Sequence, residues 1–257
     1  MLTLLKTRFR ARIAKSSADI EAAQRLRQLA FARDSQDTSM TLDADQFDDI
    51  CTHVLVEKVT DGSENAELVC CFRLLTFATA DQIENSYSAQ FYNLANLHHM
   101  DGPICEIGRF CLHPDWHDPD ILRLAWAALT RHVDEKGIKM LFGCSSFSGI
   151  SADKYVDAFA LMAEKYLAPN EKAPSVKHDD VFPYAQSLSG HVCDVKQAFK
   201  QLPSLLRTYL MMGGWVSDHA VIDRAMSTLH VFTGLEIAAI PAARVRQLRR
   251  DAAIEGQ

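Results

Sequence analysis

The amino-acid sequence predicts an α/β protein built on a mixed central sheet, and three observations predict it. Residues 53–59, 67–77 and 104–112 are short apolar runs, the first two separated by turn-forming residues, which is the signature of buried strands. A capped amphipathic helix follows the third run, and behind it comes a further apolar run over residues 139–145. A strand, a crossover helix and a second strand form a unit whose two strands run parallel.

In chain order, residues 1–15 are basic, and Leu2, Leu4 and Leu5 are not followed by a long apolar core with a cleavage site, so no signal peptide is expected. Ser16 and Asp19 make a capping-box-like start to a helix in which Leu26, Leu29 and Ala30 recur at helical spacing and which ends near Arg33. Residues 34–49 are rich in Asp, Ser and Thr and read as a loop with at most one turn; a loop of that length usually carries function. Asp61-Gly62-Ser63 joins the first two strands as a hairpin turn. After the third strand comes His113-Pro114-Asp115-Trp116-His117-Asp118-Pro119-Asp120, in which Asp118 suits an N-cap and Pro119 a first turn. The helix behind it lines up Leu122, Ala125, Trp126, Leu129 and Val133 and stops at Gly137. Residues 153–167 read as a helix and 168–189 as a long polar loop. A helix over 204–212 is stopped by Gly213-Gly214, short strands are expected near 215–222 and 229–233, and a basic helix starts at Ala242.

Composition narrows the function. A chain of 257 residues, 48% hydrophobic and 23% charged, buries a sizeable core and fits one large domain. A net charge of −6 argues against nucleic acid as a partner. Seven cysteines without a CxxC read as reduced thiols of a cytoplasmic protein rather than a metal knuckle. His113 and His117 cannot share a helix face across Pro114 and have no evident third ligand, so no metal is expected. The absence of GxGxxG and GxxxxGK[ST] removes the case for dinucleotides and nucleotide triphosphates. Cys144-Ser145-Ser146 lacks a GxSxG and reads as small residues closing a strand near a pocket. No window is apolar over about 18 residues, so no spanning helix is expected, while contact with a membrane surface stays open.

Folding alone does not ask for charge inside apolar runs. Glu106 and Arg109 lie in Glu106-Ile107-Gly108-Arg109-Phe110-Cys111, Arg73 sits alone in Leu68-Val69-Cys70-Cys71-Phe72-Arg73-Leu74-Leu75, and Asp45, Asp48, Cys51 and His53 cluster ahead of the first strand. Ionised groups are seldom buried without a partner or a task, and perturbed charges gather at sites. The structural alternative for Glu106 and Arg109 is an ion pair. Residues three apart on a regular strand face opposite sides, so direct pairing needs a bulge or other partners. Asp45 and Asp48 read equally well as capping residues, and Cys51 and His53 as buried residues at a strand start.

Arg27 with Phe31, Asp45-x-x-Asp48-x-x-Cys51-x-His53, Cys71-Phe72-Arg73-Leu74-Leu75, Glu106 to Pro114, Leu141-Phe142-Gly143-Cys144-Ser145-Ser146-Phe147, Leu202-Pro203-Ser204-Leu205-Leu206 and Ala220-Val221-Ile222-Asp223 occur in this order. The ordered set resembles the ornithine N-acyltransferases that make lyso-ornithine lipid, relatives of the acyl-homoserine lactone synthases in the acetyltransferase-like (GNAT) superfamily. It runs from Arg27 to about Glu236. Cys51-x-His53, the Gly143 to Ser146 segment and Ala220 to Asp223 look like the lipid enzymes, and the tryptophan that lactone synthases carry after their first helix is replaced here by polar Asp34 to Thr38.

The resemblance implies a GNAT-like fold in a single domain over 1–257, with an acetyltransferase-like core at 16–150 and a C-terminal half at 151–257 completing sheet and acyl pocket. It implies transfer of a (3-hydroxy)fatty acyl group to the α-amino group of ornithine, the first step toward ornithine lipid. The alternatives are a lactone synthase using S-adenosylmethionine, the same transfer onto glutamine, or a non-catalytic binding protein. The His113 to Asp120 loop, with no Gly and three Asp, is a poor cradle for the pyrophosphate of coenzyme A. The implied donor is therefore an acyl group on the phosphopantetheine of acyl carrier protein, with no further cofactor. An acidic carrier would dock on Arg244, Arg246, Arg249 and Arg250 or on Lys6, Arg8, Arg10 and Arg12, each of which reads equally as a solvated face. The enzyme would be cytoplasmic, with peripheral contact at the inner membrane face left open.

For the chemistry, Glu106 is the expected base, with Arg109 beside it in the sequence. Backbone N–H groups around Gly108 and Phe110 would stabilise the oxyanion if Gly108 permits a bulge. Asp45 and Asp48 would take the cationic side chain of ornithine, and Arg73 or Arg109 its carboxylate or one of these acids, with Arg27 and Phe31 completing the acceptor site. Cys144 and Ser145 would sit at the strand end facing the pocket. Phe142, Phe147, Phe159 and Leu161 line an acyl pocket or, more simply, the core.

Overall fold

The computed structural model describes residues 3–6, 8–31, 42–59 and 66–253. The strands in chain order are β1 (Thr3–Lys6), β2 (Phe9–Ile13), β3 (Thr52–Lys58), β4 (Glu67–Phe77), β5 (Tyr92–Asn93), β6 (Ile104–Leu112), β7 (Met140–Ser148), β8 (Ser175–Val176), β9 (Val181–Phe182), β10 (Trp215–Val216), β11 (Ala220–Asp223) and β12 (Thr228–Glu236). The helices are α1 (Ser17–Phe31), α2 (Pro119–Lys136), α3 (Val156–Lys165), α4 (Tyr184–Ser187), α5 (Val195–Gln201), α6 (Ser204–Met211) and α7 (Ala242–Ala253), and short 3-10 turns punctuate the loops. The chain divides into two interleaved compact units, one of Met1–Thr76, Ile107–Ile138 and Ala242–Gln257, the other of Phe77–Glu106 and Lys139–Pro241.

In the first unit the strand order is β1-β2-β3-β4-β6. The β1–β2 hairpin was not expected from the basic N-terminus. Its signal is the alternation Phe9-Arg10-Ala11-Arg12-Ile13, which puts Phe9 and Ala11, both fully buried, on one face. Arg10 and Arg12 take the other face and share the buried Glu57 carboxylate of the neighbouring strand at 2.8 and 2.7 Å. β3 and β4 pair antiparallel as expected, from Thr52 opposite Leu74 to Lys58 opposite Glu67. The turn Asp61-Gly62-Ser63 and the Asp34 to Thr38 segment lie outside the described residues. α1 lays Ala23 and Leu26 on Leu55, Cys71 and Cys111, with Phe31 packed alongside. α2 starts and stops as its sequence demands: the Asp118 side chain accepts the Asp120 N–H at 2.9 Å, and Gly137 ends the helix at φ +64°. Its buried stripe includes Ile121 and Leu124 rather than Leu122, which is only half-buried.

The second unit holds the sheet β6-β7-β12-β11-β9 with β10 added beside β12. β6 and β7 pair in parallel over Ile104 to Glu106 and Met140 to Phe142, as the strand, helix, strand pattern requires. The remaining pairs are antiparallel, and β12 follows β7 along its whole length. The sequence placed the end of β7 at Ser145, but the strand runs on to Ser148 because Leu229 and Thr228 extend the ladder opposite Phe147 and Ser148. Phe147, Leu229 and Val231 face α3 to α6 and meet Phe159, Leu161, Tyr184 and Leu206 in one core. Phe142 lies outside that core and stacks with Phe232 at 5.9 Å and with Phe77 at 6.4 Å. The single strand expected near 215–222 is two strands, β10 and β11. The Trp215 ring lies so close to Gly234 that a Cβ there would sit 2.4 Å from it, so only glycine lets β10 pack on β12. No described helix is long and apolar enough to cross a membrane.

Candidate active site

Among the described residues, the charges that the sequence marks fall into two settings, one in each unit. The first forms because Asp45 starts a 3-10 turn, Gln46–Asp49. Its side chain accepts the Phe47 N–H at 2.9 Å, and the Asp48 carboxylate reaches back to the Asp45 N–H. That capping brings Asp48 beneath α1 and β4. The Arg27 guanidinium, fully buried, grips Asp48 in a two-point pair at 2.7 and 2.8 Å and also contacts Asp43. Arg73 donates to Asp45 at 2.5 Å and to Asp48 at 2.9 Å. Arg109 donates to Asp43 and Asp45, each at 3.2 Å. Gln24 completes the shell of Asp48 at 2.9 Å.

Three guanidinium groups thus face three carboxylates, and the buried charge balances. Burial opposes ionisation of Asp48, but hydrogen bonds from Arg27, Gln24 and Arg73 outweigh it and hold the carboxyl well below its usual range. Asp45 is shifted the same way, with Arg73 the main counterweight to burial. Burial lowers the pKa of His53, whose Nε2 lies 3.0 Å from the Asp48 carbonyl oxygen. Asp45 and Asp48 are thus capping residues, the structural reading set against function for them, and ion-pair partners as well.

The backbone irregularity in β6 falls on Arg109, not on Gly108. Arg109 has φ +51°, a left-handed conformation that costs a non-glycine residue about 1 kcal/mol or more. A Cβ on Gly108 would meet only Arg73 nitrogens at 3.8 and 3.9 Å, an ordinary contact. The Phe110 ring stacks on Phe72 at 5.0 Å.

In the second unit Glu106 is only 4% exposed. Its carboxylate accepts the Tyr87 N–H on Oε2 at 2.9 Å, and on Oε1 the Ser88 N–H at 2.7 Å and the Ser88 hydroxyl at 2.6 Å. Ser88 Oγ lies 3.5 Å from Cys144 Sγ. Cys144 and Ser145, adjacent on β7, point to opposite faces. Cys144 meets Ser88, whereas Ser145 accepts the Thr233 hydroxyl at 2.9 Å on the face of the α3 to α6 core.

The structure therefore gathers Arg27, Asp45, Asp48, Arg73 and Arg109 in one network, sets Phe31 in the apolar cluster beneath it, and separates Cys144 from Ser145. Asp43, Gln24, Tyr87 and Ser88 were missed from sequence. Asp43 sits in the same Asp-rich run as Asp45 and was findable. Tyr87 and Ser88 lie in the aperiodic segment before β6, where no local pattern marks them.

The family model of the acetyltransferase (GNAT) domain matches residues 26–127. An L-ornithine N(alpha)-acyltransferase of Brucella abortus is 30% identical over 243 residues, 89% of this chain and 84% of that protein. One of Rhodobacter capsulatus is 28% identical over 239 residues, 90% of this chain and 91% of that protein. The solved structure of an N-acyl amino acid synthase from uncultured soil microbes matches with a TM-score of 0.50 at 11% identity, over 91% of this chain and 94% of that one. The mixed sheet, its parallel β6–β7 pair and these likenesses define an acyltransferase of the GNAT class. Within that class the chain belongs to the L-ornithine N(alpha)-acyltransferase family.

Proposed function

We propose that the enzyme transfers a (3-hydroxy)fatty acyl group from acyl carrier protein to the α-amino group of ornithine. The observation that carries this reading is the family membership, joined to a buried glutamate that accepts two N–H groups and a hydroxyl. Three donors on one carboxyl group suit an ionised carboxylate, which only accepts.

Free α-amino groups titrate near 8, so a neutral amine is available at neutral pH with modest help. Its lone pair attacks the thioester carbonyl, forming the C–N bond and an oxyanion. Glu106 takes the proton from nitrogen, directly or through water. The oxyanion collapses, the C–S bond breaks, and the phosphopantetheine thiolate leaves and takes up a proton. Backbone N–H groups around the left-handed turn at Arg109 are the proposed oxyanion donors.

For the acceptor, Asp45 and Arg109 are the more accessible members of the charged network, at 23% and 13% side-chain exposure against 1% for Arg27, 3% for Arg73 and 5% for Asp48. Asp45 would take the side-chain ammonium of ornithine and Arg109 its carboxylate, while Arg27, Asp48 and Arg73 hold these two in place. One feature favours a carrier-bound donor over coenzyme A. The N-terminus of α2 is already capped by the Asp118 carboxylate, which would repel a pyrophosphate. Of the two basic stretches, Arg8, Arg10 and Arg12 are engaged by Asp118, Glu57 and Asp19, and Arg249 by Asp134. The side chain of Lys6 lies outside the described residues and Arg244 donates to Gln247 at 3.1 Å; Arg246 and Arg250, exposed on α7, are the proposed docking cations.

The test is to incubate the protein with 3-hydroxyacyl carrier protein and ornithine, glutamine or S-adenosylmethionine and to weigh the products. An ornithine adduct supports the proposal, whereas a glutamine adduct or a lactone replaces it.

A further inference from the structure

The turn that holds Glu106 is built for a carboxylate. Ser86 receives the Ala89 N–H on its hydroxyl at 3.2 Å and gives its own N–H to the Ile83 carbonyl at 2.9 Å, so the chain turns sharply just as Tyr87 and Ser88 arrive. Two successive N–H groups then point at Glu106, one to each oxygen. Ser88 supplies a third donor through its side chain. Ser88 and Ser86 are 0% and 2% exposed, so neither hydroxyl is there for solubility. The Ser88 hydroxyl donates to Glu106 Oε1 at 2.6 Å, the direction that a base in its ionised form requires. Its oxygen is then the acceptor for the Cys144 thiol at 3.5 Å.

We infer that Ser88 is a positioning residue for Glu106: its hydroxyl fixes the carboxylate in the orientation from which it takes the proton of the attacking amine. This rests on Glu106 being the base. The N–H groups of Tyr87 and Ser88 reach one oxygen each, and the Ser88 hydroxyl adds the side-chain contact that a substitution can remove without altering the backbone. Two effects of removing the hydroxyl oppose each other. One fewer donor makes the carboxylate a slightly stronger base, a gain of a few-fold at most. A carboxylate free to rotate away loses near-attack geometry, where an ångström is worth on the order of a hundredfold. Positioning wins, so the rate falls.

The test is a series at residue 88 measured with and without Glu106→Gln. Ser88→Ala is expected to lower kcat about tenfold to a hundredfold while leaving KM for the acceptor within about twofold. Ser88→Cys, nearly isosteric with a weaker donor, should fall between the two and guards against a fold defect in the alanine variant. In the Glu106→Gln background the Ser88→Ala change should have no further effect, because there is no base left to position. Wild-type kcat in Ser88→Ala, equal rates for the cysteine and alanine variants, or the same fold-loss in both backgrounds would overturn the inference. A Glu106→Gln enzyme of normal rate removes the base reading itself, an outcome read from that variant alone.

Discussion

Arg27 and Asp48 form a two-point ion pair, Nη1 to Oδ1 at 2.7 Å and Nη2 to Oδ2 at 2.8 Å, with both residues almost out of contact with solvent. A charge at that depth is tolerable only while its partner stays ionised. Replacing Asp48 by Asn keeps the shape and removes the charge, leaving Arg27 and Arg73 to share fewer carboxylates. Asp48→Asn should destabilise the fold by about 3 to 5 kcal/mol, read as a lowered midpoint in urea at unchanged slope. A shift of less than about 1 kcal/mol would mean that the network is far better hydrated than its burial implies.

Arg109 combines two opposed contributions, a strained backbone and two carboxylate partners. Arg109→Gly relieves about 1 to 2 kcal/mol of left-handed strain and removes pairs that are partly exposed. The two nearly cancel, so stability should stay within about 1 kcal/mol of the parent. Acyl transfer should nevertheless fall at least about a hundredfold if Arg109 holds the acceptor carboxylate. Rate and urea midpoint measured on the same preparation separate the two.

Arg73 and Glu106 were visible in the sequence as charges stranded in apolar runs, and Asp45 and Asp48 as a spaced pair, because such placements violate simple patterning wherever they occur. Their partners were less visible. Which guanidinium meets which carboxylate depends on how α1, β4 and β6 converge on one short turn, and spacing along the chain carries no such information. Glu106 shows the limit most clearly: the Tyr87 and Ser88 donors come from residues 18 and 19 positions upstream, in a stretch with neither helical nor strand period. The β1–β2 hairpin failed for another reason. Its alternation was present, but five residues flanked by basic ones read as a charged tail until Glu57 and Asp19 supply the partners.

Histidine burial gives the protein a pH dependence of defined sign. Burial lowers the pKa of His53, His132 and His230, the last to about 3, from an unfolded value near 6.5. The unfolded chain therefore binds protons first as pH drops, and stability present above pH 6.5 is lost below it. For His230 alone, moving from pH 7.5 to 5.5 should remove about 1.4 kcal/mol. His230→Phe should flatten the slope of stability against pH in that window, followed by urea unfolding at a series of pH values. The Asp45 and Asp48 contributions, whose folded pKa values are depressed, stay intact there and fail only below about pH 4.

The basic helix α7 separates docking from chemistry. Leu248 and Ala252 are buried, and Arg123 and Arg131 of α2 bind Asp251 and the Ala252 carbonyl at 2.8 and 2.9 Å. The helix is thus anchored by its apolar side and by these contacts, and the exposed Arg246 and Arg250 contribute little to holding it. Reversing both to Glu should leave the urea midpoint within about 0.5 kcal/mol, as for surface charges elsewhere. If an acidic carrier protein docks there, the same reversal should raise KM for acyl carrier protein about tenfold or more, with kcat on a small soluble acyl thioester unchanged. Added salt should weaken the parent enzyme toward the variant, because exposed charges about 10 Å apart are screened at 0.1 M. A KM that ignores both the reversal and the salt would move the docking surface away from α7.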